Sequence, residues 1–142
     1  MRYGYTLLEM VAVLALLAVA GSELTVAARG YRDRAAVVGA REAVVGLVAR
    51  ARREALLRGA AAVVLSPAPV RASVQVEDSV VAVIDLRETF LVEVDGGGST
   101  GEVRLDFGPL GLGRVASRTL SFRRGEATTA LVVSSYGRVR RE

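Results

Sequence analysis

Gly4-Tyr5-Thr6-Leu7-Leu8-Glu9 leads directly into Met10-Val11-Ala12-Val13-Leu14-Ala15-Leu16-Leu17-Ala18-Val19-Ala20, an unbroken apolar run. A short polar leader, Met1-Arg2-Tyr3-Gly4, precedes it; Gly21-Ser22-Glu23 interrupts it, and Leu24 to Ala28 is mildly apolar again. At ~1.5 Å per helical residue, Tyr5 to Ala28 is long enough to cross a hydrocarbon core of about 30 Å. The residue that needs explaining is Glu9, since a carboxylate inside a bilayer costs roughly 2.5–3.5 kcal/mol on insertion scales. Ala18-Val19-Ala20 fits the small-residue site of a cleaved secretory signal, and a plain signal anchor fits the length. Neither reading gives Glu9 a purpose. A buried carboxylate calls for a cationic partner.

Outward from this segment, no Pro occurs before Pro67, and residues 5–58 are rich in Ala, Leu, Val, Arg and Glu. This composition predicts one long helix, about 80 Å at 1.5 Å per residue, with Gly21, Gly30, Gly39 and Gly46 as points where it can bend. In its second half Val37, Val44, Val48, Ala51 and Ala55 fall on one face. That stripe is expected to pack on a sheet, with Arg50, Arg53 and Glu54 opposite it. Arg58-Gly59 is the expected stop. Short Val-rich strands follow, at 61–65, 72–76, 80–86, 90–94, 103–107, 118–122 and 128–134, divided by Gly and Pro turns. Residues 119–133 read as a hairpin turning at Gly125.

The leader and its surroundings, Gly4, an aromatic Tyr5, Thr6, Leu7, Leu8 and Glu9 before an apolar run, resemble the prepilin signal of type IV pilins and type II secretion pseudopilins. The resemblance implies cleavage after Gly4 by a prepilin peptidase and N-methylation of Tyr5, where the family usually has Phe. It also implies that Glu9 meets the α-amino group of a neighbouring subunit during assembly. The segment Ala51-Arg52-Arg53-Glu54-Ala55-Leu56-Leu57-Arg58-Gly59 running straight into a strand, the closing hairpin, and Ser135-Tyr136-Gly137-Arg138 resemble the GspH/FimT branch of minor pseudopilins. The implied fold is α+β: a long N-terminal membrane-spanning helix packed on a small antiparallel β-domain. The implied organisation is a leader at 1–4, a membrane-spanning half-helix at 5–28, an amphipathic half-helix at 29–59 and a β-rich domain with a basic tail at 60–142. The expected partners are other pilin subunits, the peptidase and the inner membrane, with the C-terminal domain extracytoplasmic. Arg29, Arg32 and Arg34 beyond the span outnumber Arg2 before it, and the positive-inside rule alone would put the C-terminus in the cytoplasm. The processing motif is the more specific signal and decides the orientation.

The chain has no Cys, His or Trp, and all 19 basic residues are Arg. That excludes thiolate chemistry, disulfides and His-based catalysis or metal binding. The acidic pairs Glu77-Asp78 and Glu93/Asp95 read as solvated loops, so no catalytic residue, metal or cofactor is assigned. Charge is unevenly spread. Residues 60–113 hold three Arg against eight acids, and residues 114–142 hold seven Arg against two. The tail Gly137-Arg138-Val139-Arg140-Arg141 matches the Gly-Arg-x-Arg motif credited with DNA binding in FimT-like pilins. Arg residues one apart in an extended tail can fork onto phosphates, Gly permits close backbone approach, and Arg114, Arg118, Arg123 and Arg124 would extend the positive surface. The alternatives are a solvated tail on a secretion subunit and, more remotely, a single-pass binding domain unrelated to filaments.

Overall fold

The computed structural model describes residues 6–96, 101–114 and 116–142; the side chains of Ala20 and of residues 22–26 lie outside that description. Helix α1 runs Leu7–Arg58 and is unbroken through all four of its glycines. Its start is set by Thr6, whose Oγ1 accepts from the Glu9 backbone N–H at 3.2 Å. This is half of a Thr-x-x-Glu capping box. Its end is set by Gly59 at φ +90, whose N–H donates to the Ala55 carbonyl at 2.8 Å. Glycine takes this left-handed conformation without steric cost, as the Arg58-Gly59 reading expected.

The chain divides into two compact units, one up to Arg32 and the other Asp33–Glu142. In the first, every described helix side chain is exposed, including those of the apolar run Met10–Val19, and Leu7, Leu8, Leu14 and Leu16 are each 62–85% exposed. Among the described residues, no helix is long and apolar enough to cross a membrane. The expected span at 5–28 includes Tyr5 and side chains outside the description.

The second unit holds the core. Val37, Val44, Val48, Ala51 and Ala55 are all buried, and Ala40 and Leu47 join them. The expected stripe is the packing face. One member of the expected opposite face differs: Glu54 is 8% exposed, while Arg50 and Arg53 are exposed. Glu54 lies one residue before Ala55, at the edge of the packed stripe, and Arg58 Nε one turn on neutralises it at 3.3 Å.

Two four-stranded antiparallel sheets complete this unit. The first has the order β3-β2-β1-β5, from β1 (Ala61–Pro67), β2 (Val70–Val76), β3 (Ser79–Asp85) and β5 (Val103–Phe107). The second has the order β4-β6-β7-β8, from β4 (Glu93–Asp95), β6 (Arg118–Arg124), β7 (Ala127–Val133) and β8 (Val139–Arg141). Alternate residues point inward: Val70, Ala72, Val74 and Val76 from β2, Leu120 and Phe122 from β6, Leu131 and Val133 from β7. The outward Ala62 and Val64 of β1 are buried too, 1% and 2% exposed. Their cross-strand neighbours include Arg104, Asp106 and Gln75. Arg104 bonds Asp106 at 2.8 Å and Gln75 at 3.1 Å, so its alkyl stem covers the strand while its charge stays wet.

Two strand boundaries depart from the sequence reading. The expected strand at 80–86 ends at Asp85, which caps a short helix α2 (Leu86–Phe90) by accepting from the Glu88 N–H at 2.8 Å. The expected strand at 90–94 shrinks to β4, because α2 closes at Leu91, φ +54. An N-capping Asp in front of Leu-Arg-Glu-Thr-Phe outweighs the strand preference of Phe and Thr. The hairpin at Gly125 is as expected, with Arg124 opposite Ala127 and Gly125 at φ +56.

Candidate functional site

The C-terminal segment is a built element. β8 pairs with β7 in the register Leu131↔Arg141, Val132↔Arg140 and Val133↔Val139. It is fastened at both ends. At the near end, Gly137 N–H donates to the Ser134 carbonyl, Ser134 N–H donates to the Arg138 carbonyl (each 2.8 Å), and Arg138 N–H donates to Ser134 Oγ at 3.1 Å. At the far end, Ala130 and Glu142 exchange two backbone hydrogen bonds of 2.9 Å. Thr129, nearly buried, accepts from Arg41 Nη1 at 2.9 Å and donates to the Glu142 carbonyl at 2.7 Å.

This placement separates the tail residues by role. Gly137 is buried at φ +77, and a Cβ there would lie 2.9 Å from Phe107 Cε1. Its close approach is to the core, not to a ligand. Arg141 lies opposite inward Leu131, and its guanidinium grips the Glu42 carboxylate with two bonds, 2.9 and 3.0 Å. The Arg141 hydrogen bonds hold the Glu42 carboxyl below the usual carboxylate range; desolvation opposes them, and the weaker hydrogen bonds of Arg41 add to the lowering. The Arg141 pKa is raised in turn. Arg140 points outward and pairs with Glu142 in a close contact. Arg138 is exposed, with no side-chain partner among the described residues.

The wider basic surface is partly neutralised. Arg124 pairs with Asp33 at 2.9 Å and donates to the Phe90 carbonyl at 2.8 Å, joining the hairpin to α1 and α2. Arg123 pairs with Glu93 at 3.0 Å. Arg114 and Arg118 are exposed and, among the described residues, without an ion-pair partner. Folding thus turns a sequence-level imbalance into a few free cations. Sequence reasoning missed Glu42, Arg41 and Arg52. Arg52 reaches off the packed helix face to donate to the Gly111 carbonyl at 3.0 Å and the Gly137 carbonyl at 3.4 Å. Nothing in residue spacing announces these partners, since 59 to 99 residues separate each pair.

Glu9 lies in the first turn of α1 with its side chain exposed. The cap uses its backbone N–H, and a carboxylate at a helix N-terminus also interacts favourably with the macrodipole. Gly4 and Tyr5 lie outside the described residues. A cavity of about 380 Å³ opens between Leu65, Val70, Leu86, Val103 and Leu120. Its lining is mostly apolar, and the Arg71 at its rim is ion-paired with Asp85 at 2.9 Å.

No protein-family model matches the sequence, and no curated protein matches it. Solved structures do. Two crystal forms of the Pseudomonas aeruginosa (strain PAO1) type IV minor pilin FimU match. One superposes with a TM-score of 0.60 at 17% identity, covering 75% of this chain and 87% of that one. The other gives 0.57 at 18% identity, covering 73% and 90%. An N-terminal helix packed on antiparallel sheets, shared over most of both chains at such low identity, is a likeness of fold: the chain has the fold of a type IV minor pilin.

Proposed function

We propose that this chain is a non-enzymatic minor pilin or pseudopilin, a subunit of a GspH-like type II secretion pseudopilus or of a type IV pilus. A prepilin peptidase removes residues 1–4, Tyr5 is N-methylated, and the apolar start of α1 anchors the chain in the inner membrane with its C-terminal domain outside the cytoplasm. The observation that carries this reading is the first helical segment. From Leu7 to Val19 it is apolar except at Glu9, and its described side chains there are exposed. A helix hydrophobic all round is stable when other apolar matter surrounds it, either lipid before assembly or neighbouring helices afterwards. In that setting Glu9 needs a cation, and a new α-amino group on an adjacent subunit supplies one. Intact-mass analysis tests the first step: a chain beginning at Tyr5 and one methyl group heavier is expected, and one beginning at Gly21 refutes it. Glu9→Ala is expected to be processed and stable but poorly incorporated into filaments.

A second reading is a FimT-like DNA-capturing pilin. What favours it is the exposure of Arg138 and of outward-pointing Arg140 beside each other at the edge of the second sheet. With Arg141 engaged by Glu42, two phosphates are the expected contact, and log affinity for duplex DNA should fall against log salt with a slope of about −2. The double variant Arg138→Gln/Arg140→Gln should lose affinity equally for unrelated sequences; no binding at low salt rejects this reading.

A further inference from the structure

The Asp33–Glu142 unit exposes two apolar surfaces of opposite charge. The first surrounds Arg52. The carbonyls of Gly111 and Gly137, both held by its guanidinium, bring the 108–113 and 134–137 loops together beside α1. A Cβ on Gly111 would lie 3.3 Å from Leu56 Cγ, and one on Gly113 would lie 2.9 Å from the Ser135 carbonyl oxygen. Leu56, Leu110, Leu112 and Tyr136 therefore share one neighbourhood, yet they remain 60%, 75%, 44% and 68% exposed. Arg53, Arg114 and Arg138 edge this surface, all exposed and without an ion-pair partner among the described residues. Loops pinned by buried glycines and an Arg clamp present these side chains without further ordering, which lowers the entropic cost of contact. Large apolar side chains grouped in the open mark an interaction surface.

The second surface is the outer side of edge strand β3. A register shift at Val74/Gln75 sets Val80 opposite Gln75 and Val83 opposite Ser73, so both valines face outward, 59% and 58% exposed. The adjoining two-residue turn is Glu77-Asp78, exposed and likewise unpaired among the described residues.

The geometry points to a head-to-tail contact between two copies of this chain, in which the basic-edged Leu110/Tyr136 surface of one seats on the acidic-edged Val80/Val83 surface of the next. Each supplies what the other lacks: an apolar centre for burial and rim charges of the opposite sign, which steer and orient the encounter. Unlike patches meeting in this way make a heterologous contact, which propagates instead of closing on itself as a two-fold dimer does. The contact deepens the filament-subunit reading by naming globular surfaces that act beside the apolar helix.

The absence of Cys from the chain allows a direct test on the full-length protein in detergent. Leu110→Cys and Val83→Cys proteins are mixed and mildly oxidised. The mixed disulfide should exceed its statistical share, and exceed the yield from Leu110→Cys with Thr128→Cys on the other sheet, by roughly threefold or more. Adding Arg53→Glu/Arg114→Glu to the first partner should abolish the excess, and adding Glu77→Arg/Asp78→Arg to the second should restore it. Equal yields in all pairings, or an excess indifferent to the charge reversals, overturns the contact. A chain cut after Gly4 and incorporated into filaments but without the excess rejects the contact and leaves the filament reading standing. An excess in a chain that is never processed does the reverse.

Discussion

Gly137 sits with positive φ against the ring of Phe107, so its role is argued from packing. Gly137→Ala meets both a steric clash and a left-handed backbone and should lower stability by about 2–4 kcal/mol in a urea titration. If DNA binding occurs, it should fall only in proportion to unfolding. At the other end of β8, the sign of the Glu42 effect follows from its depressed pKa. The stabilisation is present above the ordinary carboxylate value of 4.5 and is lost as pH falls through the lower, folded-state value. Amide protection at Val139–Arg141, corrected for the intrinsic exchange rate at each pH, should therefore fall below that value in the wild type. In Glu42→Gln that protection should already be low at neutral pH and nearly independent of pH.

At the scale of elements, α1 has its packing face and its free face within a few residues of each other. Val44 is fully buried and Arg50 exposed. Val44→Ala removes two methyl groups from a packed core and should cost about 2 kcal/mol, whereas Arg50→Ala should stay within about 0.5 kcal/mol; chemical denaturation separates the two. β8 is a different kind of element. It is three residues long, and its Val-Arg-Arg sequence carries little strand preference of its own. It forms because β7 offers an open edge, and because Val139 packs on the core while Arg141 meets Glu42. The same logic cut the expected strand at 90–94 short, where a local Asp cap took the chain into α2 instead.

At the scale of the whole molecule, the compact unit beginning at Asp33 contains the packed half of α1, both sheets and the Arg124–Asp33 bond. A chain starting at Gly30 should therefore fold cooperatively and remain in solution. Circular dichroism should show both helix and sheet and a single urea transition. Aggregation or an unfolded spectrum would mean that the stripe Val37/Val44/Val48 is not covered from within.

The sequence by itself determined what depends on near neighbours and on periodicity. The apolar run with one carboxylate at Glu9, the inward stripe of α1, the Gly59 stop and the Gly125 hairpin are written in contiguous residues, because helix faces, caps and tight turns are local physics. Only the tertiary structure decided which charges are free. Arg141, Arg124 and Arg123 are taken by Glu42, Asp33 and Glu93, and Gly137 was drawn under Phe107. Ion pairs form between groups that packing brings within about 4 Å, a distance that separation along the chain does not encode. A tail that reads as three free arginines therefore folds into a fastened segment with Arg138 and Arg140 turned outward and Arg141 held by Glu42.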